Sequence, residues 1–109
     1  PLPGDTDPAT IEHVLPENPS PDWEGSIPSR DWSRLVDRLG NLTLLEPALN
    51  REVGNETYPA KVAQYALSRY ELTRDLCKLA PTSWSVELLE LRQRHLAERA
   101  CHVWRSDFS

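Results

Sequence analysis

Apolar and polar positions change rhythm repeatedly along this chain. Residues 10–15, TIEHVL, set Ile11, Val14 and Leu15 among polar neighbours and predict a short strand. Pro16 ends it, because proline has no N–H to give to a ladder. From residue 17 to 29, Pro19, Pro21, Pro28 and Gly25 forbid regular structure, yet Trp23 and Ile27 lie inside this loop, which predicts a loop packed onto a core. In DWSRLVDRL, residues 31–39, Trp32, Leu35, Val36 and Leu39 recur at helical spacing. Ser29 or Asp31 serves as the cap and Gly40 as the stop.

NLTLL, residues 41–45, predicts a second strand. EPALNREVGN, residues 46–55, predicts a two-turn helix with Pro47 in its first turn and Gly54 past its end. Longer helical patterns follow over residues 59–79 and 84–104. The first has Val62, Tyr65, Ala66 and Tyr70 on its apolar face, the second Leu88, Leu89, Leu96, Ala100, Val103 and Trp104. The fold class expected is α+β, mostly helical: a two-stranded hairpin with a long inserted loop and a short helix, then two packed helices. Residues 1–9, rich in Pro, Gly and Asp, read as a linker, and residues 10–109 as one domain.

Composition narrows the classes. A chain of 109 residues with 39% hydrophobic and 27% charged positions suits one ordinary globular domain. No apolar run approaches the roughly 18 residues of a membrane span, and no basic-then-apolar leader opens the chain, so a soluble cytoplasmic domain is expected. The absence of methionine reads as a stretch taken from a longer chain. Cys77 and Cys101 stand in no metal-binding spacing and read as core positions of helices. Residues 1–28 hold six acids and no Lys or Arg, while the remainder holds twelve basic and eleven acidic residues. That balance lacks the basic excess of a domain that grips DNA unaided.

Chemistry enters with Glu12 and His13. Histidine is the side chain whose charge changes nearest neutral pH, although a lone histidine at a strand end is as often only polar. Asn41 and Asn50 stand nine residues apart on the second strand and the helix after it, where all four side chains could converge. The strings IEHVLPENP, RLGNLTLLEPALN and YPAKVAQY resemble the signature of the HNH branch of the His-Me finger nucleases, in particular the C-terminal domain of GmrSD-type modification-dependent restriction endonucleases.

The resemblance implies a ββα-metal core over residues 10–58, C-terminal helices over residues 59–109, and divalent-metal-dependent hydrolysis of DNA phosphodiesters. By the same resemblance His13 matches the general base, Glu12 and Asn50 the metal ligands, and Asn41 the hairpin asparagine that orients the loop and the base. It further implies DNA with modified bases as substrate and a partner or N-terminal domain that recognises the modification. Many relatives carry another histidine where this chain has Gly54, so Asn55 is either a minor contributor or a helix cap.

Lys61 falls where the family carries a lysine, to touch phosphate or to stand in solvent. Arg51, with Arg30, Arg34 and Arg38, either tracks phosphates or forms a solvated basic face. A carboxylate with an amide oxygen is a hard-oxygen site suited to Mg²⁺ or Mn²⁺. His95 and His102, seven apart, read as a surface pair, and the tryptophans as packing anchors. Two other readings compete: a non-catalytic DNA- or protein-interaction module that retains the fold, and a nuclease directed at RNA.

Overall fold

The two short apolar stretches pair with each other. In the computed structural model, which describes residues 8–108, β1 (Thr10–His13) and β2 (Leu42–Leu45) form an antiparallel hairpin with Thr10 opposite Leu45 and His13 opposite Leu42. Side chains alternate across a strand, so Glu12 and Thr43 face inward and are buried while Ile11 and Leu44 are exposed. β1 is two residues shorter than predicted, because Val14 and Leu15 leave the ladder and turn into the core. Val14 N–H donates instead to the Asn41 carbonyl at 2.9 Å.

The inserted loop is packed down. Trp23 and Ile27 are buried, and the loop carries short 3₁₀ turns at Pro21–Gly25 and Ser29–Asp31. The helix expected over residues 31–39 is cut to one turn, α1 (Trp32–Leu35), followed by a 3₁₀ turn at Leu39–Asn41. Arg30, Arg34 and Arg38 therefore do not share one helix face. Gly40 is not a helix stop but a site of close approach. A Cβ there would lie 2.3 Å from the Leu89 carbonyl oxygen and 2.9 Å from Gln93 N, both on the last helix. The Gln93 side chain also accepts the Gly40 N–H. Gly40→Ala is expected to cost about 1–3 kcal/mol, the usual penalty of overpacking, read as a lower urea midpoint; an unchanged midpoint would remove this contact from the account.

Helix α2 (Pro47–Val53) follows the local signals, with Pro47 in the first turn and Gly54 at φ +43°, a backbone conformation that favours glycine. The single helix expected over residues 59–79 is broken into α3 (Tyr58–Tyr65) and α4 (Glu71–Leu79). Glu46 causes the break. Its carboxylate accepts the Ser68 hydroxyl at 2.6 Å and the Arg69 N–H at 3.0 Å, a local alternative to helical hydrogen bonding. Burial acts to raise the Glu46 carboxyl, but these hydrogen bonds outweigh it and hold the group below its ordinary value.

The break lets α4 turn back across β2, where Thr73 bonds both the Thr43 hydroxyl and the Leu44 carbonyl. Helix α5 (Val86–Phe108) packs on the Leu39–Asn41 turn, and Tyr58 stacks on Trp84 with ring centroids 5.8 Å apart. The fold is α+β and mostly helical. Among the described residues no helix is long and apolar enough to cross a membrane.

Three expectations about α5 and the cysteines need adjustment. Cys77 is half-buried and packs against the edge of the core, Cys101 is exposed rather than core, and Ala100 is exposed. Val103 and Trp104, like most of the linker, lie outside the residues whose side chains are described. His95 and His102 are exposed.

Candidate active site

Beside β1, where the chain turns at Pro16 and α2 ends, lies a polar cavity of about 210 Å³. Glu12, His13, Glu17, Asn18, Asn50 and Asn55 line it. Four of the sequence-predicted residues, Glu12, His13, Asn50 and Asn55, thus come together. Glu17 and Asn18 join them because the chain bends back after Pro16. Pro16, which ends the strand, is the sequence signal for that bend, but nothing in the strand-and-helix outline singles out Glu17 or Asn18.

Asn50 is oriented by an unambiguous network. The Thr10 hydroxyl donates to the Leu45 carbonyl at 2.8 Å, so its oxygen accepts from Asn50 Nδ2 at 2.6 Å. The amide is thereby aligned with Nδ2 toward Thr10, and among the described residues Oδ1 has no hydrogen-bond partner. Amide orientation follows from such partner logic rather than from atom shape.

Glu12 sits on the inward face with 5% exposure. Its Oε2 accepts from Lys61 Nζ at 2.9 Å and from the Tyr65 hydroxyl at 2.5 Å, while Oε1 has no such partner among the described residues. Lys61 is fully buried, lies 5.9 Å over the Trp23 ring, and donates a further bond to the His13 carbonyl at 2.8 Å. It is therefore not the surface lysine that phosphate contact requires: its ammonium is spent inside. Burial pulls Lys61 below its ordinary value against the opposing pull of Glu12. Burial, reinforced by the Glu12 charge, pushes the Tyr65 phenol well up, so Tyr65 remains a donor.

Asn41 takes no part in the cavity lining. It is fully buried and all four of its amide valences are used. Oδ1 accepts from Leu15 N–H at 2.8 Å and Trp84 Nε1 at 3.2 Å, and Nδ2 donates to the Leu15 carbonyl at 3.0 Å and the Val36 carbonyl at 2.8 Å. This clamp holds the segment immediately after His13, so Asn41 acts on the histidine through the backbone. Arg51 is exposed on α2.

His13 keeps 20% of its side chain exposed. Its Nε2 lies 3.2 Å from Asp37 Oδ1 and its Nδ1 3.8 Å from Glu17 Oε1. An ionised carboxylate only accepts hydrogen bonds, and the Asp37 contact is the shorter of the two, so the neutral ring is assigned the tautomer with its proton on Nε2. Nδ1, on the Glu17 side, is then the basic nitrogen. Asp37 falls within the helical pattern of residues 31–39, and nothing in the sequence links it to His13.

Among the described residues no group of three or more His, Cys, Asp or Glu side chains is arranged to hold a metal ion. A cation here would rely on amide oxygens and water beside a carboxylate. Fold and cavity together define a small α+β domain with an oxygen-rich hollow next to one histidine. The chain belongs to the family of GmrSD restriction endonucleases, C-terminal domain, whose model matches residues 2–99. It is thus a restriction-endonuclease-related domain. Comparison with curated proteins and with solved structures gave no match.

Proposed function

We propose that the chain is a divalent-metal-dependent DNA endonuclease domain of the HNH, or His-Me finger, type, with His13 as general base, acting within a modification-dependent restriction system. The observation that carries this reading is the convergence of His13, Glu12 and Asn50 on one cavity. The order of hairpin then helix around that cavity supports a ββα-metal core, and membership of the family supports DNA as the substrate.

The donor set fits a hard cation. Among the oxygens of the predicted ligands, Asn50 Oδ1 and Glu12 Oε1 are uncommitted, and Mg²⁺ or Mn²⁺ characteristically takes one or two protein ligands with several positions left to water and phosphate. When bound, the cation would supply Lewis-acid stabilisation of charge developing on the phosphate oxygens. His13 Nδ1 takes the proton of the attacking water, while Asp37 holds the ring in the tautomer that leaves Nδ1 free. Lys61 and Tyr65 hold Oε2 of Glu12 and leave Oε1 uncommitted on a residue that lines the cavity, the task of outer-shell partners at metal sites. Lys61 and Asn41 fix the main chain at the His13 carbonyl and in the segment just after it.

The charge distribution leaves much of the DNA affinity, and recognition of any base modification, to a further domain or partner. Incubation with supercoiled plasmid tests the function. Nicked or linear product is expected with Mg²⁺ or Mn²⁺ and none with chelator. Equal conversion with and without chelator would exclude the metal-dependent reading, and no conversion under any metal would favour a non-catalytic module.

A further inference from the structure

The cleft between α4 and α5 has the opposite chemistry to the His13 cavity. It encloses about 380 Å³, within the size range of small-molecule sites. Its apolar lining comes from Leu72, Leu76, Leu79 and Leu96. Its charged lining is largely basic, with Lys78, Arg92 and Arg99 against the single acid Asp75. This local excess of positive charge lies in a chain whose net charge is −5.

Arg92 is the unusual member. It is 4% exposed, and among the described residues no carboxylate pairs with it. Its Nη1 donates to the carbonyls of Gly40 at 2.9 Å and Leu42 at 2.6 Å, which ties α5 to the start of β2. Its Nη2, shut off from solvent, is the one buried side-chain nitrogen or oxygen among the described residues that makes no hydrogen bond. Burial lowers Arg92 to about 10, which leaves it charged at neutral pH. A buried guanidinium without a counter-ion is costly unless a partner arrives.

Asp75 divides itself between Lys78 at 3.6 Å and Arg99 at 3.7 Å, one from each helix, and leaves Arg92 unpaired. Both of these ion pairs are solvent-exposed and of the weak kind.

We propose that the α4–α5 cleft binds an amphipathic organic anion, its phosphate or carboxylate head meeting Lys78 and Arg99 beside the buried, unpaired charge of Arg92 and its apolar body lying on the four leucines. The site is separate from the His13 cavity, shares no lining residue with it, and does not depend on nuclease activity. Charge-assisted hydrogen bonds from a guanidinium to a phosphate or carboxylate supply the head-group affinity, and buried methylenes supply the rest.

Calorimetry and backbone amide shifts of the whole chain, freed of metal on a chelating resin, test this with hexyl phosphate, hexanoate, inorganic phosphate and 1-hexanol as probes. Hexyl phosphate or hexanoate is expected to bind at least about tenfold more tightly than either inorganic phosphate or 1-hexanol, since head and body both contribute. Saturable shifts are expected along residues 72–79 and 92–99. The relative strength of the two acids identifies the preferred head group.

Reversing the exposed rim with Lys78→Glu and Arg99→Glu is expected to lower that affinity at least about tenfold. Asp75→Asn, which frees both cations, is expected to raise it. These variants leave buried Arg92 in place, so loss of folding does not mimic loss of binding. Equal affinity for 1-hexanol and the two acids, an affinity unmoved by charge reversal, or shifts centred on residues 11–18 would overturn the proposal.

Discussion

Replacing His13 with alanine is expected to lower DNA cleavage by about 10²- to 10⁴-fold, the span of a general base, with little loss of stability. Among the described residues the polar partners of the imidazole are the exposed carboxylates of Asp37 and Glu17, at 3.2 and 3.8 Å, and such exposed pairs contribute roughly 0–1 kcal/mol. The backbone at this position is held independently of the ring, by Lys61 on the His13 carbonyl and by Asn41 on Leu15. Plasmid-nicking time courses at fixed metal concentration, beside melting curves, separate the two effects. A variant that nicks at the parent rate would remove His13 from the mechanism, whereas a slow variant with a collapsed melting curve would show a structural residue instead.

The second large effect is thermodynamic. Lys61→Met is expected to destabilise the domain by roughly 3–5 kcal/mol, because removing one partner of a buried ion pair strands the other charge. That is a large share of the about 5–15 kcal/mol that holds a typical domain together. The stranded group is Glu12, 5% exposed and left with Tyr65 as its one donor among the described residues. Adding Glu12→Gln to Lys61→Met is expected to restore part of the loss, since a neutral amide has less to lose by burial. Urea unfolding of the two single variants and the double variant measures the coupling. Additive losses would contradict a direct Glu12–Lys61 pairing.

Local signals made much of this molecule legible. The helix at Pro47–Val53 follows from Pro47 and Gly54, and the packed loop follows from Trp23 and Ile27 among prolines, because each signal lies within a few residues of its effect. The failures are long-range. Gly40 looked like a stop for its own helix, yet it serves α5, whose Gln93 lies 53 residues away. The periodicity of residues 59–79 is helical throughout, and the break at Ser68 is imposed by Glu46 from 22 residues upstream.

The site divides along the same line. His13, Glu12 and Asn50 were visible as residues, and the structure brings them to one cavity. Lysine is seldom fully buried, so Lys61 read as a surface cation, and only its bonds to Glu12 and the His13 carbonyl reveal an internal anchor. Glu17, Asn18 and Asp37 reach His13 through turns that carry no periodic signature.

The central claim is that the cavity of Asn50, Glu12 and His13 holds a divalent ion. Mn²⁺ titration followed by paramagnetic broadening of amide resonances tests it most directly. The account predicts that the Asn50 side-chain amide and the backbone amides of residues 12–18 broaden first. It also predicts that Asn50→Ala weakens Mn²⁺ binding by at least about tenfold, a loss that even outer partners of a metal site can produce. Broadening spread over surface carboxylates, with an affinity that Asn50→Ala leaves unchanged, would contradict it.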